Sequence, residues 1–264
     1  MIAGEEVHLS PGAALRYAGL PQPELVAADA QSRMIPAALE AALAADPTRP
    51  TLVLLQAGDI HSGDSDPFAE LIPIAHRYGA WVHVDGAIGL WQAASPSLRH
   101  LVAGVELADS WTTDAHKTLN APYDCGLIIV RDERAHRAAM AMHGPHIDDF
   151  NDGLGQPFDF VPEMSRRARG VPVWAVLRSL GRRGVAELVD QMALRARELA
   201  VRIAALPGAV TCTRIAIRAS LARCPSTCGA DLPAQGTRDV LGSAARAVMP
   251  GVGAHVAPMA YARD

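Results

Sequence analysis

Lysine is almost absent from this chain. Lysine and arginine total 24, and all but Lys117 are arginine. The two side chains are interchangeable as solvated charges but not as reagents. Arginine stays protonated, whereas a desolvated lysine amine can lose its proton and attack a carbonyl. A composition that favours arginine everywhere else would have erased a lysine that only carried charge, so Lys117 is a candidate functional residue. Cysteine is scarce too: Cys125, Cys212, Cys224 and Cys228 contain no C-x2-C pair, which argues against a zinc site. The first ten residues, MIAGEEVHLS, carry two acids and no base, unlike a secretory signal. No apolar run approaches the ~18–20 residues of a membrane span. The net charge of -4 gives no basic surface for nucleic acid or an anionic membrane. These absences predict a reduced, cytoplasmic protein with no metal, no nucleic-acid partner and no membrane association.

Strands and helices then alternate. Residues 36–45, PAALEAALAA, open on proline and continue with helix formers. TLVLLQ (51–56) is a continuous apolar run, as expected of a parallel strand buried on both faces. Asp66 is placed to cap a helix over PFAELIPIAHRY that stops at Gly79, with Pro73 as a potential kink. WVHVD (81–85), ADSWTT (108–113) and GLIIV (126–130) read as strands. SPSLRHLVAG (95–104) and residues 133–142 read as helices. This alternation predicts an α/β fold with a mostly parallel central sheet. Residues 143–165 are rich in Gly, Pro and Asp and predict a long loop of the kind that forms lids. A long helix follows over 184–206, its stripe of Val185, Leu188, Val189, Met192, Leu199, Ile203 and Leu206 being core packing. After about residue 219 periodicity is lost, and the tail reads either as a disordered segment or as a shifted reading frame of a high-GC gene. The expected divisions are therefore 1–150, 151–218 and 219–264.

Ligands of open α/β sheets bind outside the carboxyl ends of the strands. Three polar groups fall at such ends: Asp85 with Gly86 and Ala87 after WVHVD, Asp114, His116 and Lys117 after ADSWTT, and the loop AGDIHSG (57–63) after TLVLLQ. A carboxylate and a lysine on adjacent strand ends match the needs of pyridoxal 5'-phosphate. Its aldehyde needs an amine, and its ring nitrogen needs a carboxylate to hold a proton there. A small residue such as Ala87 would let a flat ring approach the backbone. The plainer alternative is a buried Asp85–Lys117 ion pair, but such pairs bring little net stability.

VHVDGAIGLW and ADSWTTDAHKTLNAPYDCG together resemble the pyridoxal-phosphate-dependent group II amino-acid decarboxylases, with HVDGA and DAHK in the family's order. The similarity runs from about residue 5 to about residue 210. It implies the large domain of an aspartate-aminotransferase-like fold (PLP fold type I), followed by a long helix and an irregular tail. Lys117 matches the lysine that forms a Schiff base with the cofactor, and Asp85 the carboxylate on its pyridine nitrogen. Ala87 matches the small residue against the ring. His116 matches the histidine that helps hold cofactor phosphate, and Asp114 stands where relatives often have asparagine. HLSPGAALRYAGL is similar to the family's segment with the ring-stacking histidine, which makes His8 that residue and Ser10 its neighbour in the site.

The resemblance implies decarboxylation of an amino acid, a small-molecule substrate, in a homodimer. Another pyridoxal-dependent outcome, transamination or carbon–sulfur lysis, would keep the same Lys117 and Asp85. The chain also departs from the family. Only seven residues precede His8, so a glycine- and serine-rich phosphate loop is not expected here. Residues 143–165 contain no tyrosine to return a proton, which leaves His143 and His146 as donors. Asp59, His61 and Ser62 replace asparagine and threonine, and an acid beside a phosphate repels it unless Asp59 points away. RRARG (166–170) matches the family and reads as a helix entrance on a solvated face. A catalytically silent fragment is therefore the further alternative.

Overall fold

The structure, a computed structural model, describes residues 1–60, 62–142 and 157–205. The chain divides into two compact units. The one described below lies within Met1–Arg197; of the second, only residues 198–205 are described. Six strands make one sheet: β1 (Ile2–Gly4), β2 (Glu24–Val26), β3 (Leu52–Gln56), β4 (Trp81–Asp85), β5 (Ser110–Asp114) and β6 (Gly126–Val130). Their order is β2-β1-β3-β4-β5-β6. All neighbours are parallel except β6, which pairs antiparallel with β5. The helices are α1 (Leu9–Tyr17), α2 (Pro36–Ala45), α3 (Phe68–Arg77), α4 (Glu133–Met140) and α5 (Gly170–Ala204). The α/β architecture with a mostly parallel sheet is the expected one.

The apolar run of β3 is buried on both faces, from Val53 to Gln56. β4 instead alternates. Val82 and Val84 join Val53, Leu55, Leu39, Phe68, Leu71 and Ile72 in the main core, under α2 and α3. Trp81, His83 and Asp85 point to the opposite face, where polar groups can be used. A second cluster packs the segment after β5 against α5 through Leu119, Cys125, Val173 and Val185. Val189 and Ala193 of α5 pack on Leu98.

The structure corrects three local expectations. Asp66 does not cap α3: Pro67 holds the N-cap position and no side chain caps the helix. The buried Asp66 carboxylate accepts instead from Met34 N–H and Gln56 N–H, both at 2.7 Å, and so ties the end of β3 to the segment before α2. The helix expected over 95–104 is only a 3-10 turn over Arg99–Val102. Ahead of it, Ser95 Oγ accepts from the N–H groups of Ser97 and Leu98 and donates to Asp190 on α5. The long helix starts earlier than expected, at Gly170, and kinks at Gly181, whose φ of 62° suits glycine.

The expected 143–165 loop lies outside the described residues as far as residue 156, with His143 and His146, and so do His61 and everything after residue 205. The boundaries at 150 and 218 fall there too. Among the described residues, no helix is long and apolar enough to cross a membrane. No cluster of metal-ligating side chains occurs among them either.

Burial, then the nearby charges of Asp59 and Asp29, push the Asp66 carboxyl up to about 6, against the pull of its two N–H donors. An acid raised in the folded state above its unfolded value of about 3.9 contributes stability that is full below that value. That contribution is lost as pH rises through about 6. A gap of this size corresponds to roughly 3 kcal/mol. We therefore expect the urea midpoint of the wild type to carry a falling component between pH 4 and 6. Asp66→Asn should flatten that component. It should also lower stability throughout by about 1–3 kcal/mol, because its NH2 group would face a backbone N–H. An unchanged slope in Asp66→Asn would assign it to other groups.

Candidate active site

The carboxyl ends of β3, β4 and β5 lie level. Gln56 is in register with Asp85, and Asp85 with Thr112. Beyond each strand the chain turns, and the three turns enclose a cleft of about 350 Å³. Its walls include Asp85, Ala87, Asp114 and Lys117, with His8 and Ser10 contributed by the start of α1. Six of the seven residues expected from sequence thus share one cavity, of a size suited to a small-molecule ligand.

Each side chain is held locally. Asp85 Oδ1 accepts from Ala87 N–H at 3.0 Å, which closes the turn after β4. Gly86 N–H donates to Thr112 O at 2.9 Å, so the β4–β5 pairing continues into that turn. The lysine turn is pinned above it, because the buried Thr118 hydroxyl donates to Ile88 O at 2.7 Å. Lys117 Nζ lies 2.9 Å from Asp114 Oδ2. Its ion-pair partner is therefore Asp114, and an Asp85–Lys117 pair does not form. At the other wall His8 occupies the N-cap of α1, its Nδ1 accepting from Ser10 N–H at 3.2 Å and lying 2.8 Å from Ser10 Oγ. A neutral imidazole in that role carries its proton on Nε2.

His116 is the exception. It does not line the cleft but lies behind Asp114, tilted against the Tyr123 ring at a centroid distance of 4.2 Å. Its Nδ1 is 3.0 Å from both Cys125 N and Cys125 O. Cys125 O already accepts from Ala115 N–H, so the bond that satisfies the most groups runs from Cys125 N–H to Nδ1. Cys125 is a buried free cysteine whose thiol is pushed up by burial, consistent with packing rather than reactivity.

Asp59 turns away from the cleft, which is lined by its neighbours Gly58 and Ile60. It is buried, and its Oδ1 accepts from the N–H and hydroxyl of Ser62. Its charge therefore faces the inside of its own loop. The RRARG arginines do more than face solvent: Arg167 donates to Tyr123 O at 2.6 Å, and Arg169 pairs with Asp124 and Glu163. They fasten the segment on which His116 rests.

Several contributors were not singled out in the sequence. Gln56 lines the cleft, and its Oε1 accepts from His8 N–H at 3.4 Å, a long bond that links β3 to the His8 segment. His83 sits one pleat below Asp85 on the same face, its two nitrogens at 2.8 Å from Ser110 Oγ and 3.3 Å from Thr112 Oγ1. Burial lowers its pKa, which favours the neutral ring. Alternation along WVHVD was the available signal for His83. For Gln56 it was the polar end of an apolar run.

The model of the pyridoxal-dependent decarboxylase conserved domain matches residues 1–217. The chain belongs to the pyridoxal-dependent decarboxylases. Human cysteine sulfinic acid decarboxylase is 30% identical over 209 residues, 75% of this chain and 42% of that protein. The crystal structure of mouse CSAD superposes with a TM-score of 0.71 at 28% identity, covering 78% of this chain and 44% of the mouse chain. Oryza sativa TDC, solved with PLP and tryptamine, gives a TM-score of 0.72 at 27% identity, with 77% and 44% covered. The chain thus spans less than half the length of these relatives.

The residues fit the family's cofactor at its ring. An amine and a carboxylate line one cavity, and Ala87 beside them leaves room for a flat group. The floor depends on glycine. A Cβ on Gly89 would stand 2.4 Å from Ala57 O, and a Cβ on Gly58, whose φ is +78°, would stand 2.9 Å from Gly89 Cα. Gly89→Ala is expected to force these turns apart and cost roughly 1–3 kcal/mol in urea unfolding. Gly170→Ala, where an added Cβ meets nothing within 4 Å, should stay within about 0.5 kcal/mol of wild type. Equal stability of the two variants would remove the close approach as a constraint.

Proposed function

We propose that this chain forms the cofactor-binding part of a pyridoxal-5'-phosphate-dependent amino-acid decarboxylase, a carboxy-lyase that converts an amino acid to an amine and CO2. The observation that carries the reading is the shared cleft of Lys117, Asp85 and Ala87 in a chain of this family. When bound, the cofactor supplies an aldehyde for covalent attachment and a ring that accepts the electrons left when CO2 departs.

The protein's own groups divide the rest of the work. Lys117 provides the amine. Asp85, at the end of β4, would keep a proton on the ring nitrogen. Ala87 would give the ring a flat wall, and His8, ordered by Ser10, would cover it. Asp114 stands beside the lysine. Gln56 fixes the backbone that carries His8. Names among the relatives include cysteine sulfinic acid, tyrosine, L-DOPA and tryptophan decarboxylases. An amino acid, as a small-molecule substrate, is accordingly the substrate class.

A homodimer is supported by the start of α5, where Val171, Trp174 and Leu177 are each at least 40% exposed. An apolar strip of this kind suits a partner surface. A cytoplasmic setting is supported by the few cysteines and the free Cys125. For the domain organisation, a cofactor-binding core over 1–150, a connecting region over 151–218 and a separate tail over 219–264 remain our proposal.

The test begins with covalent capture. The chain is mixed with pyridoxal phosphate, reduced with borohydride and mapped by peptide mass spectrometry. With only one lysine, background is confined to the N-terminal amine. We expect one pyridoxyl group on Lys117, absent in Lys117→Arg. In Asp85→Ala it should be reduced about tenfold or more, the loss of one charge-assisted hydrogen bond of roughly 1.5 kcal/mol. Amine and CO2 should then form in equal amounts from the preferred amino acid. A keto acid product would point to transamination. Label on the N-terminus alone would mean that the chain does not hold the cofactor.

A further inference from the structure

The face of β4 that carries Asp85 also carries Trp81 and His83, and the hydrogen bonds there run in one direction. We propose that Trp81, Ser110 and His83 form a one-way chain of hydrogen bonds that leaves the Thr112 hydroxyl as a donor to the cleft, where it binds an acceptor atom of the cofactor. Thr112 is then a binding residue, and His83 is the positioning residue that orients it. The ligand rests on the cofactor reading above; the direction of the chain does not.

The direction follows from which groups can only donate. The indole Nε1–H of Trp81 has no lone pair to offer, so at 2.8 Å from Ser110 Oγ it must donate. Ser110 Oγ also lies 2.8 Å from His83 Nδ1. Two arrangements satisfy that contact. Either Ser110 donates to Nδ1, or Nδ1 carries the proton and Ser110 accepts twice. The second leaves the proton of a buried hydroxyl with no acceptor among the described residues. Buried polar groups are seldom left so. The first uses every group, and it fixes the tautomer: a neutral ring that accepts at Nδ1 carries its proton on Nε2. Burial disfavours the charged ring, against the pull of Asp85.

Nε2–H then faces Thr112 Oγ1 at 3.3 Å, a long bond in which the hydroxyl accepts. His83 is the only hydrogen-bond partner of Thr112 Oγ1 among the described residues, so the proton of the threonine is left over. Thr112 lines the cleft and stands in register with Asp85. The cleft therefore has a carboxylate from β4 and a hydroxyl donor from β5 side by side. With the opposite tautomer Thr112 would donate back to Nε2 and offer a ligand only a lone pair. A donor oriented before the ligand arrives spares the cost of ordering it on binding.

The experiment uses the whole chain and two readouts. Two-bond 1H–15N correlation spectra of the 15N-labelled protein without cofactor report which nitrogen of each histidine is protonated. The His83 signals are those lost in His83→Asn. We expect His83 as the Nε2–H tautomer in wild type at neutral pH, and a mixture of tautomers in Ser110→Ala, where nothing donates to Nδ1. The second readout is the concentration of pyridoxal 5'-phosphate that half-saturates capture at Lys117 (amine plus aldehyde with loss of one water, then hydride from borohydride), followed by peptide mass spectrometry. Thr112→Val keeps the shape and removes the donor. It should raise that concentration about three- to tenfold, the loss of one hydrogen bond. Thr112→Ser restores the hydroxyl and should stay within about twofold of wild type. His83→Asn frees the hydroxyl to turn away and should raise the concentration about two- to threefold. In the Thr112→Val background it should add nothing, because the group it acts through is gone.

A wild-type His83 with its proton on Nδ1 overturns the chain. Equal half-saturation in wild type and Thr112→Val, or equal losses in Thr112→Val and Thr112→Ser, overturns the role of Thr112. Should His83→Asn fail to fold, His83→Gln provides the assignment, and the wild-type tautomer with the two Thr112 variants still decides. Absence of label on wild-type Lys117 would sink the cofactor reading and the ligand of Thr112 with it, while the tautomer would still decide the chain, so the two failures are distinguishable.

Discussion

The cleft exists because β3, β4 and β5 run parallel and end in register. Parallel strands place their carboxyl ends on one edge, and the alignment of Gln56 with Asp85 and of Asp85 with Thr112 makes that edge level. A slip of one residue in β4 would turn Asp85 to the face that carries Val82 and Val84. The core therefore fixes the chemistry. Val82 and Val84 are fully buried, and burying them forces Asp85 and His83 onto the opposite face. At about 25 cal/mol per Å² of apolar surface, the cost of reversing two valines far exceeds what any single polar contact at the cleft returns. The functional residues are placed by apolar packing on the other side of the sheet.

Polar satisfaction does the finer placing. Below the cleft, Ser110 Oγ accepts from Trp81 Nε1–H and meets His83 Nδ1, while His83 Nε2 faces Thr112, so β4 and β5 are joined by side chains as well as by backbone. Above it, Thr118 spans the gap to Ile88 O, and the Asp66 carboxylate holds the end of β3 from outside the sheet. These bonds link turns that belong to different strands. They restrict the motion of Lys117 relative to Asp85 without either residue being locked to the other. The covalent role we propose for Lys117 would need that combination of a rigid frame and a movable amine.

Much of this was legible in the sequence, and the exceptions have physical causes. GLIIV and WVHVD appear as β6 and β4 with their expected ends, and PAALEAALAA is α2, because apolar runs and helix formers of five to ten residues carry enough periodicity to be read. β1 and β2 have three residues each and offer no period. Asp66 precedes a proline and a helix, the usual sign of a cap, yet its carboxylate is used across the fold by Met34 and Gln56. No local pattern announces that. The cleft residues Asp85, Ala87, Asp114 and Lys117 were legible because strand ends are where α/β sheets bind ligands. The place of His116 was not. Adjacent residues on a turn face different ways, and which of them meets the cleft depends on Cys125 and Tyr123 from the next strand's approach.

The lone lysine can now be weighed against its surroundings. If Lys117 served only to neutralise Asp114, arginine would serve better, since a guanidinium can bind a carboxylate through two parallel hydrogen bonds and is less strongly hydrated. Arginine is also what this chain uses everywhere else: Arg33 pairs with Asp29, Arg77 with Glu40 and Arg169 with Asp124. The cleft, at about 350 Å³, is not so tight as to exclude the longer side chain on size alone. What arginine cannot do is give up its proton and form a bond to carbon. An ion pair alone therefore does not account for lysine at 117, whereas the covalent role we propose would. The same reasoning explains why the partner is the partly exposed Asp114 and not a deeply buried acid: a charge pair of modest strength can be broken each time the amine is needed.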